Sequence, residues 1–236
     1  MFLNAESFLL TQKGSKGYVR AKLLAHQLSH LNVDSIIDVG CGNGLASMEI
    51  YKTLNPIKMT LVDPLTEMLN HSRHIFSGVE NIDFKQEIPM SMNDRYDLVL
   101  SHGVIGWVDN ARDHIGTLKR LSKKYISLMV GNPHGHLLQA IRTNNSDVVK
   151  QLLNGEYVIN SDSQAGQKVR LFNESDIRLL LQSEGIEVVN VYGVRLLTDL
   201  INEITDDTLI ADEIKLGESM YADMCIMTHV IGKIHE

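Results

Sequence analysis

The 236-residue sequence contains little of what secreted, metal-binding or membrane proteins need. Its two cysteines, Cys41 and Cys225, are too few for a disulfide framework, and no Cys/His spacing is typical of a zinc site. No apolar run approaches the ~20 residues that span a bilayer. The N-terminal stretch lacks the basic start, apolar segment and cleavage site of a signal peptide. These features predict a protein of the reducing cytoplasm that uses neither metal nor membrane.

Positive charge is also scarce, but its distribution matters more than the net charge of −7. Residues 201–236 contain eight acidic and two basic side chains, and therefore account for −6. The first 200 residues are nearly neutral, and their opening stretch is basic at Lys13, Lys16, Arg20 and Lys22. The acidic segment is interpreted as a solvated helix. Overall acidity therefore argues only weakly against a nucleic-acid partner.

From about residue 34 onward, short apolar runs alternate with segments of helical periodicity, which indicates a parallel sheet with helices on both faces. The predicted fold is α/β and Rossmann-like, with a seven-stranded, mostly parallel sheet. The predicted strands are 34–40, 58–63, 81–86, 96–102, 124–130, 186–194 and 225–233. We expect one domain, in which residues 1–33 form an N-terminal helical cap and residues 131–170 a helical insertion or lid after the fifth strand.

The most informative stretch is IIDVGCGNGLASMEI, where a buried strand leads through a glycine-rich turn into a helix. Gly40, Gly42 and Gly44 permit a tight turn and close approach to a ligand, and the helix N-terminus attracts an anionic group. The G-x-G-x-G spacing differs from the G-x-G-x-x-G of dinucleotide folds, which disfavours nicotinamide-linked oxidoreduction. Asp38 suits a ligand with an ammonium group. Asp63, which closes the second strand, suits ribose hydroxyls.

The glycine-rich turn, Asp63 and the downstream strand order together resemble the class I S-adenosylmethionine-dependent methyltransferases, over roughly residues 34–130. The resemblance implies S-adenosyl-L-methionine as cofactor, with Asp63 as the ribose-binding acid and Glu87 as the adenine-contacting position. A glycine turn without a ligand is the alternative. Cys41 is interpreted as a small loop residue rather than a nucleophile. The expected cofactor-binding residues are Arg20, Asp38, Gly40, Cys41, Gly42, Gly44, Asp63, Pro64, Met68, Glu87, Ile88 and His102.

Stretches spread over nearly the whole chain are similar to the bacterial tRNA 5-carboxymethoxyuridine methyltransferases. They are KGSKGYVR (13–20), SHGVIGWVDN (101–110), SLMVGNPHGHLL (127–138), YGVRLLTDL (192–200) and THVIGK (228–233). In that family, the residues that match Arg20 and His102 contact the cofactor; a surface arginine and a packed strand-end histidine are the alternatives. The resemblance implies methylation of a carboxylate on the wobble uridine, and therefore the tRNA anticodon region as a partner.

Methyl transfer from a sulfonium to a carboxylate needs alignment and exclusion of water rather than a general base. We therefore predict no catalytic residue. Arg195 suits neutralisation of a substrate carboxylate, whereas Trp107 and Tyr192 suit stacking on a base. Core packing of Trp107 and pairing of Arg195 with a local acid are the alternatives. The candidate substrate-facing residues are Trp107, Asn132, His134, Tyr192 and Arg195.

Binding of RNA also needs fixed positive charge for its phosphates. The stretch 156–166 has neither Lys nor Arg. The remaining basic candidates are Lys13, Lys16, Lys22, Arg142, Lys150, Lys168, Arg170 and Arg178. A small-molecule acceptor, with the insertion as a lid, is therefore the second hypothesis. A cofactor-binding scaffold without turnover is the third, and nothing in the sequence favours a particular oligomeric state.

Overall fold

The computed structural model describes residues 15–87, 89–160, 167–201 and 207–235. Its centre is a seven-stranded sheet. Its strands are β1 (Ser35–Val39), β2 (Lys58–Val62), β3 (Ile82–Lys85), β4 (Tyr96–His102), β5 (Ser122–Gly131), β8 (Glu187–Val194) and β9 (Met227–Lys233). The predicted strand boundaries differ from these by at most two residues at either end. The apolar runs therefore located every strand of the sheet correctly.

The strand order is β3-β2-β1-β4-β5-β9-β8. β1 to β5 run parallel, whereas β9 pairs antiparallel with β5 and with β8. The predicted Rossmann-like, mostly parallel sheet is thus confirmed. The chain order reverses between β1 and β4, and in such sheets ligands bind beyond the carboxyl ends of the strands at this point.

Nine helices surround the sheet within the described ranges. They are α1 (Ser15–Leu28), α2 (Leu45–Leu54), α3 (Thr66–Ile75), α4 (Ala111–Leu121), α5 (Pro133–Arg142), α6 (Ser146–Leu153), α7 (Glu174–Ser183), α8 (Leu197–Leu200) and α9 (Asp207–Gly217). Asparagine side chains cap α4 to α7, because a side-chain oxygen satisfies the free N–H groups of a first turn. Across the described parts of the chain, none of these helices has the length and apolarity to cross a membrane.

Helices on both faces explain why the inner strands are buried along almost their whole length. Every residue of β1 is buried, and so are six of the seven residues of β4. One core packs around Ile115 of α4 and Ile177 of α7 on one face of the sheet. The other packs around Leu24 of α1 and Ile50 of α2 on the opposite face. The sheet edge that carries the glycine-rich turn is therefore held between two packed layers.

The segment after β5 contains the two expected helices, α5 and α6, and also a hairpin that the sequence did not predict. β6 (Val158–Asn160) pairs antiparallel with β7 (Lys168–Arg170). Three residues per strand are too few to show a period-two alternation, so the pattern was invisible in the sequence. Leu152, Ile159 and Leu171 join the hairpin to α6 in a small core of their own.

The acidic C-terminal segment is not merely a solvated helix, because Glu213 of α9 is 1% exposed. Its carboxylate accepts hydrogen bonds from Leu196 N at 2.8 Å, Thr198 N at 2.7 Å and Thr198 Oγ1 at 2.6 Å. These donors lie at the start of α8, so a distant carboxylate serves as its cap. The interpretation as a purely solvated helix was wrong for this residue.

Gly135 in α5 provides a test of this packing. A Cβ at Gly135 would overlap the backbone of Cys225 and Ile226, whereas a Cβ at Gly116 in α4 would meet nothing closer than 4.0 Å. We expect Gly135→Ala to lower the free energy of unfolding by about 1–3 kcal/mol through overpacking. Gly116→Ala, the matched control, should raise it by about 0.5–1 kcal/mol. Denaturant titrations measure both, and equal effects would contradict the packing described here.

Candidate functional site

The glycine-rich turn lies at the carboxyl end of β1 and requires glycine for two separate reasons. Gly40, Gly42 and Gly44 have φ angles of 79°, 55° and 79°, in the left-handed region that disfavours other residues. A Cβ on Gly40 would lie 2.5 Å from Val104 Cγ2, and one on Gly44 would lie 2.8 Å from Ser72 Oγ. The turn therefore fits closely between its neighbours and leads directly into α2.

Asp63 follows β2 and is bonded directly to the glycine-rich turn. Its Oδ2 accepts a hydrogen bond from Gly42 N at 3.0 Å, and its Oδ1 accepts one from Leu65 N at 2.9 Å. Burial raises the pKa of Asp63, while these two bonds oppose the shift. The turn and the carboxylate, which the sequence assigned to one ligand, thus share one edge of the sheet. Each carboxylate oxygen keeps acceptor capacity for a further donor.

Asp38, the last-but-one residue of β1, is 3% exposed. Its Oδ2 accepts a hydrogen bond from Ser47 Oγ at 2.5 Å, whereas its buried Oδ1 has no hydrogen-bond partner among the described residues. Burial raises the pKa of Asp38 to about 7, and the neighbouring Asp63 adds to this shift. A buried acceptor without a donor is costly, and a cationic donor group would relieve the cost.

Arg20 reaches the same edge of the sheet from α1. Burial and the nearby Arg195 lower its pKa to about 10, while Asp38 opposes this shift. The guanidinium is therefore protonated at neutral pH and lies close enough to Asp38 for the two charges to interact. A cation beside an acid with an open oxygen matches a zwitterionic ligand, which has a carboxylate and an ammonium group on one carbon.

His102 ends β4, beside the glycine-rich turn. Its Nε2 is 2.8 Å from Ser127 Oγ, and its buried Nδ1 has no hydrogen-bond partner among the described residues. Burial lowers the pKa of His102 well below 6.5, and His229 and Arg20 add to the shift. The imidazole is therefore neutral at physiological pH.

Of the remaining predicted cofactor residues, Pro64 follows Asp63, Met68 lies in α3 and Glu87 lies two residues after β3. Met68 is 2% exposed, whereas Pro64 and Glu87 are exposed. Burial raises the pKa of the Cys41 thiol well above 9.0, which agrees with its interpretation as a loop residue rather than a nucleophile. Ile88 lies outside the described residues.

Two of the predicted substrate residues are engaged elsewhere. Asn132 is fully buried, where its Oδ1 caps α5 through His134 N and its Nδ2 donates to Asp223 O at 2.8 Å. Both functional groups of Asn132 are therefore used for packing, and we remove it from the substrate-facing set. His134 is exposed, and its Nδ1 lies 2.7 Å from Asp223 Oδ2.

Trp107 and Tyr192, the predicted stacking residues, are both partly buried. Trp107 ends the short 3-10 turn Ile105–Trp107 after β4. Tyr192 lies in β8 at 6.1 Å from His229, measured between ring centroids. Neither ring is fully enclosed by the core, so both stay candidates for substrate contact.

Arg195 pairs with a local acid, as the alternative interpretation stated. Its Nε and Nη2 lie 2.8 Å and 3.0 Å from the two carboxylate oxygens of Asp199. Lys16 Nζ is 2.9 Å from the same carboxylate, and Arg142 donates to the Asp199 carbonyl. Burial would raise the pKa of Asp199, yet Arg195 and Lys16 hold it below its usual value.

The side chains around Asp199 carry more positive than negative charge, because Lys16, Arg142 and Arg195 all contact this one acidic residue. Arg20 also lies near Arg195. Asp199 was not predicted from the sequence, although its i,i+4 spacing from Arg195 was a usable signal. Ser47 and Ser72 were not predicted either, because nothing in the spacing of a serine reveals that its hydroxyl will meet a distant loop.

Comparison with known proteins identifies a family. A family model described as a methyltransferase domain matches residues 13–191. Juvenile hormone acid O-methyltransferase of Drosophila melanogaster is 26% identical over 124 residues, which cover 47% of this chain and 42% of that protein. The tRNA 5-carboxymethoxyuridine methyltransferase of Escherichia coli K12 is 23% identical over 223 residues, which cover 84% and 80%. The chain spans less than half the length of the first curated relatives that it matches.

Solved structures show the same fold. A SAM-dependent methyltransferase from Aquifex aeolicus has a TM-score of 0.62 at 14% identity, with 99% of this chain and 100% of that chain covered. The chain therefore shares the Rossmann-like fold of that methyltransferase. By the match over most of its length, the chain belongs to the methyltransferase-domain family.

The buried Asp38 generates a prediction about stability. We expect Asp38→Asn to raise the free energy of unfolding by about 1–3 kcal/mol above neutral pH, because it removes a buried charge with an open oxygen. Between pH 3.8 and about 7 the folded wild type keeps a proton that the unfolded chain loses. The wild type therefore loses stability as pH rises through this window, and the variant does not.

Denaturant titrations at about pH 5 and about pH 8 measure this difference. Asp97→Asn is the matched control: Asp97 is also a buried strand carboxylate, but Asp34 N and Lys124 outweigh its burial and lower its pKa. That variant should lose stability at neutral pH. An Asp38→Asn variant that is destabilised at both pH values would contradict the account.

Proposed function

We propose that this methyltransferase acts on a carboxylate, and that its substrate is the carboxymethoxy group of a modified wobble uridine in tRNA. The single observation that carries the carboxylate assignment is the surplus of cations around Asp199, beside the cofactor residues. The support for tRNA comes from similarity over 84% of the chain to the Escherichia coli enzyme.

The residues at this edge of the sheet fit S-adenosylmethionine at each of its polar groups. Arg20 would bind the methionine carboxylate, and the open Oδ1 of Asp38 would accept a hydrogen bond from the ammonium group. Asp63 would accept from the ribose hydroxyls, and Glu87, two residues beyond β3, would lie beside the adenine. When bound, the cofactor supplies an electrophilic methyl group on a sulfonium.

A carboxylate acceptor agrees with the charges around the site. Lys16, Arg142 and Arg195 carry three positive charges around the single negative charge of Asp199. A carboxylate already has the electron pair that attacks the methyl carbon, so the protein has only to orient it and exclude water. The names of relatives fit this chemistry, because they include a juvenile hormone acid O-methyltransferase and a malonyl-[acyl-carrier protein] O-methyltransferase.

The proposed contacts for RNA phosphates are three exposed cations in the segment that follows β5. Lys150 lies on α6, and Lys168 and Arg170 lie on β7, which a shared hydrophobic core joins to α6. Lys16, Lys22, Arg142 and Arg178 instead interact with acidic residues or backbone carbonyls, and Lys13 lies outside the described residues.

A metabolite with a carboxyl group is the second candidate. The observation in its favour is a cleft of about 610 Å³ between α5 and α6, which is large enough for a small molecule. His136 lines this cleft and lies near Asp199 and Arg195. Burial lowers the pKa of His136 to about 4, Arg195 adds to this shift and Asp199 opposes it. A small acid bound in the cleft would therefore lie close to the same cationic group.

The cofactor assignment is tested by binding. We expect Asp63→Ala to raise the dissociation constant of S-adenosylmethionine at least about tenfold, because a ribose acceptor is lost and the turn loses its bond to Gly42. Isothermal titration calorimetry measures the constant, and circular dichroism checks the fold. Asp83→Ala, an exposed acid on neighbouring β3, should bind as the wild type does. Unchanged affinity in Asp63→Ala would remove Asp63 from the site.

The RNA assignment is tested by charge reversal. We expect the triple variant Lys150→Glu/Lys168→Glu/Arg170→Glu to lose tRNA methylation and keep cofactor affinity, because phosphate contacts dominate RNA binding. The matched control reverses three exposed lysines at the opposite edge of the sheet, Lys58, Lys123 and Lys233.

The assay incubates each variant with labelled cofactor and tRNA from a strain that lacks this protein, followed by nucleoside mass spectrometry. Methylation of 5-carboxymethoxyuridine by the wild type and the control, but not by the triple variant, supports the proposal. No methylation of this tRNA by the wild type would overturn the RNA assignment and leave the carboxylate metabolite as the proposed substrate.

A further inference from the structure

A buried chain of hydrogen bonds connects His102 to the opposite side of β5. His102 Nε2 lies 2.8 Å from Ser127 Oγ, which lies 2.7 Å from His229 Nε2. His229 Nδ1 lies 2.8 Å from Gln27 Oε1, and Gln27 Nε2 donates to Gly193 O at 3.0 Å. Ser127 and His229 are fully buried, and Gln27 is 2% exposed. The proposed function assigns no role to Ser127, His229 or Gln27.

The fixed end of this chain determines the direction of every bond in it. The Gly193 carbonyl can only accept, so the amide nitrogen of Gln27 faces it and Gln27 Oε1 faces His229. His229 Nδ1 must therefore carry the proton. Burial lowers the pKa of His229 to about 3, so the ring is neutral and its Nε2 is an acceptor. That acceptor takes the single hydroxyl proton of Ser127.

With its proton donated to His229, Ser127 Oγ can only accept from His102. His102 Nε2 must then carry the proton of this neutral ring, and Nδ1 keeps a lone pair. That Nδ1 is the buried atom without a hydrogen-bond partner among the described residues. The buried Oδ1 of Asp38, on the neighbouring strand β1, is also an acceptor without a partner there. A single ligand group that donates hydrogen bonds to both of these acceptors must carry at least two protons.

We propose that Gln27, His229 and Ser127 act as positioning residues that hold His102 in its Nε2–H tautomer, so that its Nδ1 accepts a hydrogen bond from the ammonium group of the methionine moiety. The identity of this donor rests on the proposed function, whereas the tautomer does not. An ammonium has three N–H donors, so it can serve both His102 Nδ1 and Asp38 Oδ1.

The tautomer is measured directly by long-range proton–nitrogen NMR of the full chain labelled with nitrogen-15 histidine, in the absence of ligand. We expect His102 to show an unprotonated Nδ1 and a protonated Nε2, and His229 to show the reverse. In Ser127→Ala, the preference at His102 should disappear, because its Nε2–H loses its acceptor. A protonated Nδ1 on His102 in the wild type would overturn the proposal, whatever the cofactor.

The contact between His102 Nδ1 and the ligand amino group is tested by calorimetry with two ligands. They are S-adenosylhomocysteine and its analogue in which hydrogen replaces the α-amino group. We expect Ser127→Ala to weaken S-adenosylhomocysteine roughly tenfold or more, and to leave the affinity for the analogue nearly unchanged. Equal weakening of both ligands would show a general structural effect and overturn the ammonium contact.

Ser101→Ala is the matched control. Ser101 is also a fully buried strand serine, and its Oγ lies 2.9 Å from the imidazole nitrogen of His114 rather than His102. This variant should leave the His102 tautomer and both affinities as in the wild type. If the wild type failed to bind S-adenosylhomocysteine at all, the proposed function would fail, while the NMR measurement would still decide the tautomer.

Discussion

The hydrogen bond between the Gly42 N–H and the Asp63 carboxylate is the constraint on which the rest of the site depends. It is 3.0 Å long and joins the ends of two adjacent parallel strands. Gly40 N and Cys41 N donate to Val62 O, at the end of β2, at 2.8 Å and 3.0 Å. Asp63 binds the next N–H group of the turn, that of Gly42, so three hydrogen bonds hold the glycine-rich turn against β2.

The site also contains buried polar groups without hydrogen-bond partners in the described ranges, which a sheet edge with only a structural role would not need. Asp38 Oδ1 and His102 Nδ1 are buried acceptors without hydrogen-bond partners in the described part of the chain. Burial of these two acceptors lowers the stability of the fold, because each acceptor loses its hydrogen bonds to water. A ligand that donates to both recovers this free energy. We propose that these two open acceptors give the cofactor site its preference for a zwitterion.

The sheet and its glycine-rich turn were predictable from sequence because both depend on local patterns. Continuous apolar runs mark strands that helices cover on both faces, and a glycine-rich turn is defined by residues next to one another. The cap of α7 is equally local, because the Asn173 side chain accepts a hydrogen bond from Asp176 N, only three residues later.

The errors concern side chains whose partners lie far away in the chain. Asn132 looked available for substrate, but Asp223, 91 residues later, uses its amide. Glu213 looked like a solvated acid, but it caps a helix that begins at Leu197. Hairpin β6–β7 is stabilised by a shared core with α6 rather than by its own propensity. Such contacts are set by tertiary packing, which composition and periodicity do not encode.

The most direct measurement of the central claim is a crystal structure of the protein with S-adenosylhomocysteine. The account predicts the nucleoside across the carboxyl edge of β1 and β2, with its ribose hydroxyls on Asp63 and its amino group between Asp38 Oδ1 and His102 Nδ1. Binding of the nucleoside away from Asp63 and the glycine-rich turn, or an amino group that contacts neither open acceptor, would contradict it.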